Sequence, residues 1–293
     1  MALIVPAFAK LNLTLDVLSR RPDGYHEIDS VMQTISLHDV LWIERTDCRV
    51  FDVVGPTIEG TNLVIKAARE LEGAVSRQLP FTIRLWKRIP IGAGLGGGSA
   101  DAAALLKAAN QLYGLKLKTA ELAEIATQVG QDVPFFLQGG TVRATGLGST
   151  LSSLPAVPTG WRILVVCPPL QISTKTVYEA VDGHTPSARR TAGLIDHLAP
   201  LPDPPPAQQG EGVVGDVARL FANDLEPVTR RLFPAYNEAL ERARELVPSL
   251  TMTGTGAGLF AVFPDRPQAA DAFNRIEPLG YPMWITHPVP GTN

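Results

Sequence analysis

Between Pro90 and Asp101 the chain reads Pro-Ile-Gly-Ala-Gly-Leu-Gly-Gly-Gly-Ser-Ala-Asp, directly after a strand-like run and directly before an alanine-rich helical one. Glycines at 92, 94, 96, 97 and 98 leave a backbone that can curl until successive N–H groups point inward, and the following helix adds its positive end. A strand, an amide-lined turn and a helix in that order form a cradle for a polyphosphate, with Ser99 at its far rim. Two familiar loops come near it. Gly92 and Gly97 have P-loop spacing, but Gly98 stands where that motif needs its lysine, so only Ser99 keeps register. Gly92, Gly94 and Gly97 also satisfy the dinucleotide fingerprint, which wants a strand ending in an acid about 20 positions on. Leu117 and Lys118 occupy that distance. The cation for a phosphate must therefore come from elsewhere in the chain.

With 293 residues, 45% hydrophobic and 19% charged, the chain has the length for two domains and a substantial core. A net charge of −3 argues against a nucleic-acid or anionic-membrane binder, which needs a concentrated basic face. Cys48 and Cys167 lie far apart and in no metal-ligand spacing, which points to a reducing compartment. The apolar opening Met1 to Ala9 lacks a basic start and runs into Lys10, so it reads as a strand. No run has the length of a bilayer span, and the expectation is a soluble, cytoplasmic protein.

Hydrophobic periodicity predicts strands over 3–9, 11–18, 30–45 and 81–86, with helices over 62–72, 100–113 and 120–129, a mixed α/β layout. Thr119 is placed to cap the third helix and Gly130 to end it. Gln131-Asp-Val-Pro134 then restarts a short helix with Asp132 at its N-terminus. Gly146 to Gly160 is rich in Gly, Ser and Pro and separates this unit from a strand over 161–167. The division expected is 1–153 and 154–293. In the second unit, 200–212 reads as an exposed loop, followed by helices near 216–222 and 235–246, a strand over 259–263, a helix over 267–277 and a short final strand.

Lys10 and Asp132 are the leading candidates for chemistry beside the cradle. Period-two alternation through Ala9-Lys-Leu-Asn-Leu13 puts Lys10 and Asn12 on one face, although the same spacing suits a solvent-facing strand. Asp132 also reads as a helix cap, and a helix N-terminus with a nearby ammonium would keep it ionised to accept a hydroxyl proton. Tyr25 and His26, in the turn segment Arg20 to Glu27, could stack on and hydrogen-bond a ring, or simply decorate the turn. His38, His184, His197 and His287 show no metal spacing. Met252 to Phe260 is a second glycine-rich turn that either admits another backbone closely or lines the same cleft.

Taken together, residues 90–99 and 253–258 resemble the first and third motifs of the GHMP kinase superfamily. Segments 9–13, 21–26, 92–101, 132–136 and 223–226 are similar, more narrowly, to the branch that phosphorylates a cytidine diphosphate-linked methylerythritol. The resemblance implies an α+β protein with an N-terminal ATP-binding domain of ribosomal-protein-S5-like fold, a ferredoxin-like C-terminal domain and a substrate cleft between them. It implies ATP and Mg²⁺ as cofactors, no nucleic-acid or membrane partner, and a step in isoprenoid precursor synthesis. By the same resemblance Asp132 is the base, Lys10 its partner and Asn12 a substrate contact. Tyr25 and His26 engage the cytosine, Thr174 also contacts the substrate, and Tyr178 forms the opposite wall. Asn62 and Lys87 match positions near the adenosine, while Gly92, Gly94, Gly96, Gly97, Gly98 and Ser99 cradle the phosphates. Two positions depart from the branch: Ala100 replaces a frequent second serine, and Gln131 a frequent alanine.

Overall fold

The computed structural model describes residues 1–56, 62–181, 190–198 and 217–291. The first half contains β1 (Ala2–Arg20), β2 (His26–Arg45), β3 (Val50–Val54), α1 (Leu63–Val75), β4 (Phe81–Trp86), α2 (Gly97–Leu112), α3 (Thr119–Val129), α4 (Val133–Gln138), β5 (Thr141–Gly146) and β6 (Thr150–Ser153). The second contains β7 (Arg162–Val166), α5 (Thr174–Glu179), α6 (Arg190–Leu198), β8 (Ala222–Asn223), α7 (Glu226–Leu232), α8 (Pro234–Leu246), β9 (Thr251–Met252), β10 (Leu259–Phe263), α9 (Arg266–Ile276) and β11 (Met283–Thr286). The larger sheet has the order β3-β4-β2-β1-β8, with β5 paired to β2 and β6 to β5. The smaller runs β11-β7-β10-β9 and is antiparallel throughout. Antiparallel pairing of β1, β4 and β5 with β2 excludes the parallel, doubly wound sheet that a dinucleotide fingerprint requires.

The two strands expected over 3–9 and 11–18 form one continuous β1. Its register jumps from Phe8 opposite His38 to Lys10 opposite Thr34, an irregularity at the place where a break was expected. This jump changes the face each residue presents. Leu3, Val5 and Ala7 pack with the apolar cluster under α1 to α4, whereas Ala9, Leu11 and Leu13 join a second cluster with Ile163, Val165 and Phe260. Lys10 and Asn12 are thereby turned toward the helical side, next to the glycine-rich loop. Both faces of the sheet are covered, so neither residue reaches solvent as an open strand surface would allow: they are 4% and 2% exposed.

Several boundaries differ from expectation for local reasons. α2 begins at Gly97 rather than Ala100, because the last two glycines of the cradle adopt helical backbone and supply its first turn. Lys118, not Thr119, occupies the N-cap of α3, its backbone N–H donating to Glu121. Gly130 ends α3 in extended rather than left-handed conformation. In the segment predicted as a helix near 216–222, Val217 and Ala218 are helical, whereas Ala222 joins Asn223 in β8, pairing in parallel with Thr14 and Leu15 of β1. The 200–212 loop and His184 lie outside the described residues.

Candidate active site

The cradle is fixed from two sides. The Lys10 N–H donates to the Leu95 carbonyl at 3.0 Å, and the Gly258 N–H to the Ala93 carbonyl at 3.2 Å, so β1 and the second glycine turn each clamp the loop. Gly94 has φ +71, and a Cβ there would lie 2.5 Å from the Thr253 carbonyl oxygen. Gly96, the N-cap of α2, has φ +70, and a Cβ would meet Phe136 and the Lys10 stem. Only glycine fits both positions. The first intrahelical bond runs from the Ala100 N–H to the Gly96 carbonyl at 2.9 Å. The amides of Gly97, Gly98 and Ser99 therefore have no helical acceptor, the condition that suits a helix start to an anion.

Beside this helix start stand Lys10 and Asp132. The Lys10 ammonium hydrogen-bonds the Asn12 Oδ1 and lies 3.9 Å from an Asp132 carboxylate oxygen. Burial pushes the Lys10 pKa down, and Asp132 opposes that shift. Asn12 is itself held by its Nδ2 donating to Ser30 Oγ at 2.8 Å and its N–H donating to Thr253 Oγ1 at 2.8 Å. Asp132 takes the N-cap position of α4, but its side chain makes no capping hydrogen bond. The carboxylate expected to serve as a cap is directed instead at Lys10, and at 36% side-chain exposure it remains open to an approaching molecule.

Aromatic groups lie on the other side of Asp132. His26 is buried, with its ring centroid 6.0 Å from that of Tyr178 at an interplanar angle of 33°. Burial raises the Tyr178 pKa, and the Asp132 charge raises it further, which ties this wall electrostatically to the carboxylate. Tyr25 is not part of this pair: it is 65% exposed, in a turn held by its N–H donating to Asp23. Thr174, the first residue of α5, makes a 3.1 Å hydroxyl contact with Thr255 in the second glycine turn. That turn answers the open question about Met252 to Phe260, because Gly94 and Gly254 touch backbone to backbone. Asn223 holds the turn, donating to the carbonyls of Met252 and Gly254 at 3.0 and 2.7 Å.

Asn62 and Lys87 stand behind the cradle. Asn62 caps α1, its side chain accepting from the Val64 N–H at 2.8 Å, and the adjoining Leu63 side chain lies beside Gly98. Lys87 is buried and bonded to two carboxylates, Asp39 and Asp101, beneath the start of α2. Sequence pattern assigned a role to neither acid, although Asp101 closes the glycine-rich motif. Asp39 interrupts the apolar alternation of β2, its one local signal, whereas Asp101 otherwise looks like an ordinary residue of the alanine-rich helix.

The amide-lined helix start, with a buried lysine and an accessible carboxylate beside it, stands on a two-sheet frame that comparison with known proteins places among the GHMP kinases. Residues 62–140 match the family described as GHMP kinases N terminal domain, and residues 211–280 match GHMP kinases C terminal. The chain is 38% identical over 281 residues to 4-diphosphocytidyl-2-C-methyl-D-erythritol kinase of Caldanaerobacter subterraneus subsp. tengcongensis, spanning 94% of this chain and 93% of the relative. Its fold resembles a crystal structure of 4-(cytidine 5'-diphospho)-2C-methyl-D-erythritol kinase, with a TM-score of 0.76, 33% identity and full coverage of both chains. Homoserine kinase from Cytophaga hutchinsonii shares the fold, with a TM-score of 0.71 at 17% identity over 99% of this chain and 95% of that one. The chain belongs to the 4-diphosphocytidyl-2-C-methyl-D-erythritol kinase family and is a small-molecule kinase with ATP as phosphate donor. Among the described residues no helix is long and apolar enough to cross a membrane.

Proposed function

We propose that the chain phosphorylates the 2-hydroxyl of 4-diphosphocytidyl-2-C-methyl-D-erythritol, with Asp132 as base and Lys10 as its partner. The observation that carries this is the 3.9 Å approach of the buried Lys10 ammonium to the uncapped Asp132 carboxylate, beside the free amides of α2. Phosphoryl transfer has a loose transition state, so the protein chiefly positions groups and neutralises charge. Asp132 takes the proton as the substrate oxygen bonds to the γ-phosphorus and the bond to the leaving ADP breaks. Lys10 offsets the charge on the transferring group, and the amides of Gly92, Gly94, Gly96, Gly97, Gly98 and Ser99 hold the donor's phosphates.

Asn12 orients the hydroxyl-bearing end of the substrate. His26 and Tyr178 form the cytosine slot, with Tyr25 closing over it from its turn and Thr174 contacting the ligand at its edge. Asn62 lies toward the adenosine, whereas Lys87, expected there as well, is buried between Asp39 and Asp101 beneath the start of α2. Among the described residues no group of three or more His, Cys, Asp or Glu stands together to hold a metal. Mg²⁺ would then enter on the polyphosphate, where it neutralises phosphate charge. Residues 1–153 form the ATP-binding part and 154–293 the substrate-binding part, to whose site Asn12, Tyr25 and His26 of the first part are added. The two free thiols, Cys48 and Cys167, accord with a cytoplasmic location.

Purified protein incubated with Mg-ATP and the cytidyl substrate should release ADP and form the 2-phosphate, and free CDP should compete with the cytidyl substrate. Turnover of homoserine or mevalonate in its place, unaffected by CDP, would overturn the substrate assignment while leaving the kinase class intact.

A further inference from the structure

Lys87 sits where two carboxylates converge. Its ammonium bonds Asp101 Oδ2 at 2.7 Å and also Asp39 Oδ2, and all three side chains are 3% exposed or less. Asp39 is committed on its other oxygen as well, accepting from the N–H groups of Arg88 and of Ile89, the latter at 2.8 Å. Asp101 is different. Its Oδ1 is buried and has no hydrogen-bond partner among the described residues. Two buried carboxylates with one ammonium carry a net negative charge if both ionise, and that charge would lie directly behind the amides that receive a polyphosphate. A Cβ on Gly97, in the first turn of α2, would be 3.3 Å from Lys87 Nζ and 2.9 Å from Ile89 Cγ2. The triad and the helix start are thus in direct contact.

We propose that Asp101 is a positioning residue of the nucleotide site: as the neutral acid it shares Lys87 with the Asp39 carboxylate, and the resulting neutral triad sets the glycine-rich loop for ATP. Ionising Asp101 would place uncompensated negative charge under the phosphates and weaken the nucleotide. ATP binding is then linked to uptake of a proton at Asp101. This rests on the assignment of the loop to ATP phosphates, and extends it to a residue that touches no ligand.

Electrostatics agree with the geometry. Burial, chiefly, together with the neighbouring Asp39 pushes the Asp101 pKa up to about 7, against the opposing pull of Lys87. The neighbouring Asp39 charge favours the neutral acid by repulsion. Lys87 is raised by its two carboxylates in spite of burial and stays charged. Of the charged groups on the elements around α2, Lys66 of α1 donates to the Val129 carbonyl, and Lys10 of β1 faces Asp132 at the start of α4. His38, next to Asp39 on β2, is bonded to the Ser36 carbonyl.

The test is Mg-ATP affinity of the full chain from about pH 6 to about pH 8.5, wild type against Asp101→Asn. The ligand's own ionisation is common to both proteins and cancels in the comparison. In the wild type the Kd should weaken with pH above neutrality, by up to about tenfold per unit for one linked proton, while Asp101→Asn binds ATP with a flatter profile. An amide at 101 keeps an oxygen for Lys87 and cannot ionise. A variant-independent measurement guards against misfolding: the wild type should show the infrared carbonyl band of a buried neutral carboxyl near neutral pH, lost as pH rises. Binding with the same pH profile in both proteins, or absence of that band, would overturn the proposal alone. Failure of the wild type to bind Mg-ATP at any pH would overturn the nucleotide assignment along with it.

Discussion

A carboxylate at the first position of a short helix ordinarily bonds the exposed amides of that helix, and Asp132 does not. Its orientation toward Lys10 fits a group held for proton transfer. Asp132→Asn should lower kcat by on the order of 10² to 10⁴ while leaving ATP affinity largely intact, because the amide keeps the shape and loses the basicity. Steady-state kinetics with direct nucleotide binding would check this, and near-normal turnover would reduce Asp132 to a structural role. The thiols allow a second check at the same scale. Burial pushes the Cys167 pKa up to about 12, whereas Cys48 is exposed. A thiol reagent should modify Cys48 rapidly in the native protein and Cys167 only on unfolding. Rapid reaction of both would show that the core beneath β7 opens readily.

At the level of elements, the two glycine turns act as one unit, since each fills space that a side chain on the other would need. Gly94→Ala should force the Thr253 carbonyl away and strain a left-handed backbone that costs non-glycine residues roughly 1–2 kcal/mol. The expected result is a lower Tm and an ATP KM raised by about tenfold or more. Gly98→Ala is the contrast: its Cβ would meet Leu63 Cδ1 at an ordinary 3.6 Å, so it should raise Tm slightly, as alanine favours helix by about 0.5–1 kcal/mol. Equal loss of stability in both variants would refute the interlocked turns. Much of this unit was legible in the sequence, because glycine spacing is a local signal. The strand before the loop, the helix after it and the pairing of Lys10 with Asn12 follow from period and spacing alone. The register jump at Phe8 left only a gap between two expected strands as its trace, since its form depends on which residues of β2 lie opposite. The triad was not legible, because Asp39, Lys87 and Asp101 meet only through tertiary packing, even though Asp101 closes the glycine-rich motif.

Over the whole molecule, the second apolar cluster decides how the halves behave. Leu11, Leu13, Val31 and Ile35 of the larger sheet are buried with Trp161 just before β7 and with Ile163, Val165 and Phe260 of the smaller sheet, so neither sheet completes this core alone. The division near 153 expected from composition follows the chain, whereas the cluster joins what the chain separates. β8 strengthens the tie, since it belongs to the second half and pairs with β1, while the Asp224 carboxylate accepts from the Val17 N–H at 2.9 Å. A core shared in this way couples the stability of its two sides, because exposing one sheet uncovers apolar surface on the other. Leu13→Ala, a fully buried deletion facing the smaller sheet, should cost about 2–5 kcal/mol and destabilise both halves together. With Trp42, Trp86 and Trp284 replaced by phenylalanine, Trp161 fluorescence, which then reports on the second half, and far-UV circular dichroism, which reports on the whole, should trace one coincident denaturant transition with and without Leu13→Ala. Two separated transitions, with Leu13→Ala shifting only one, would show that the sheets fold independently and that the cluster is a contact surface between finished domains.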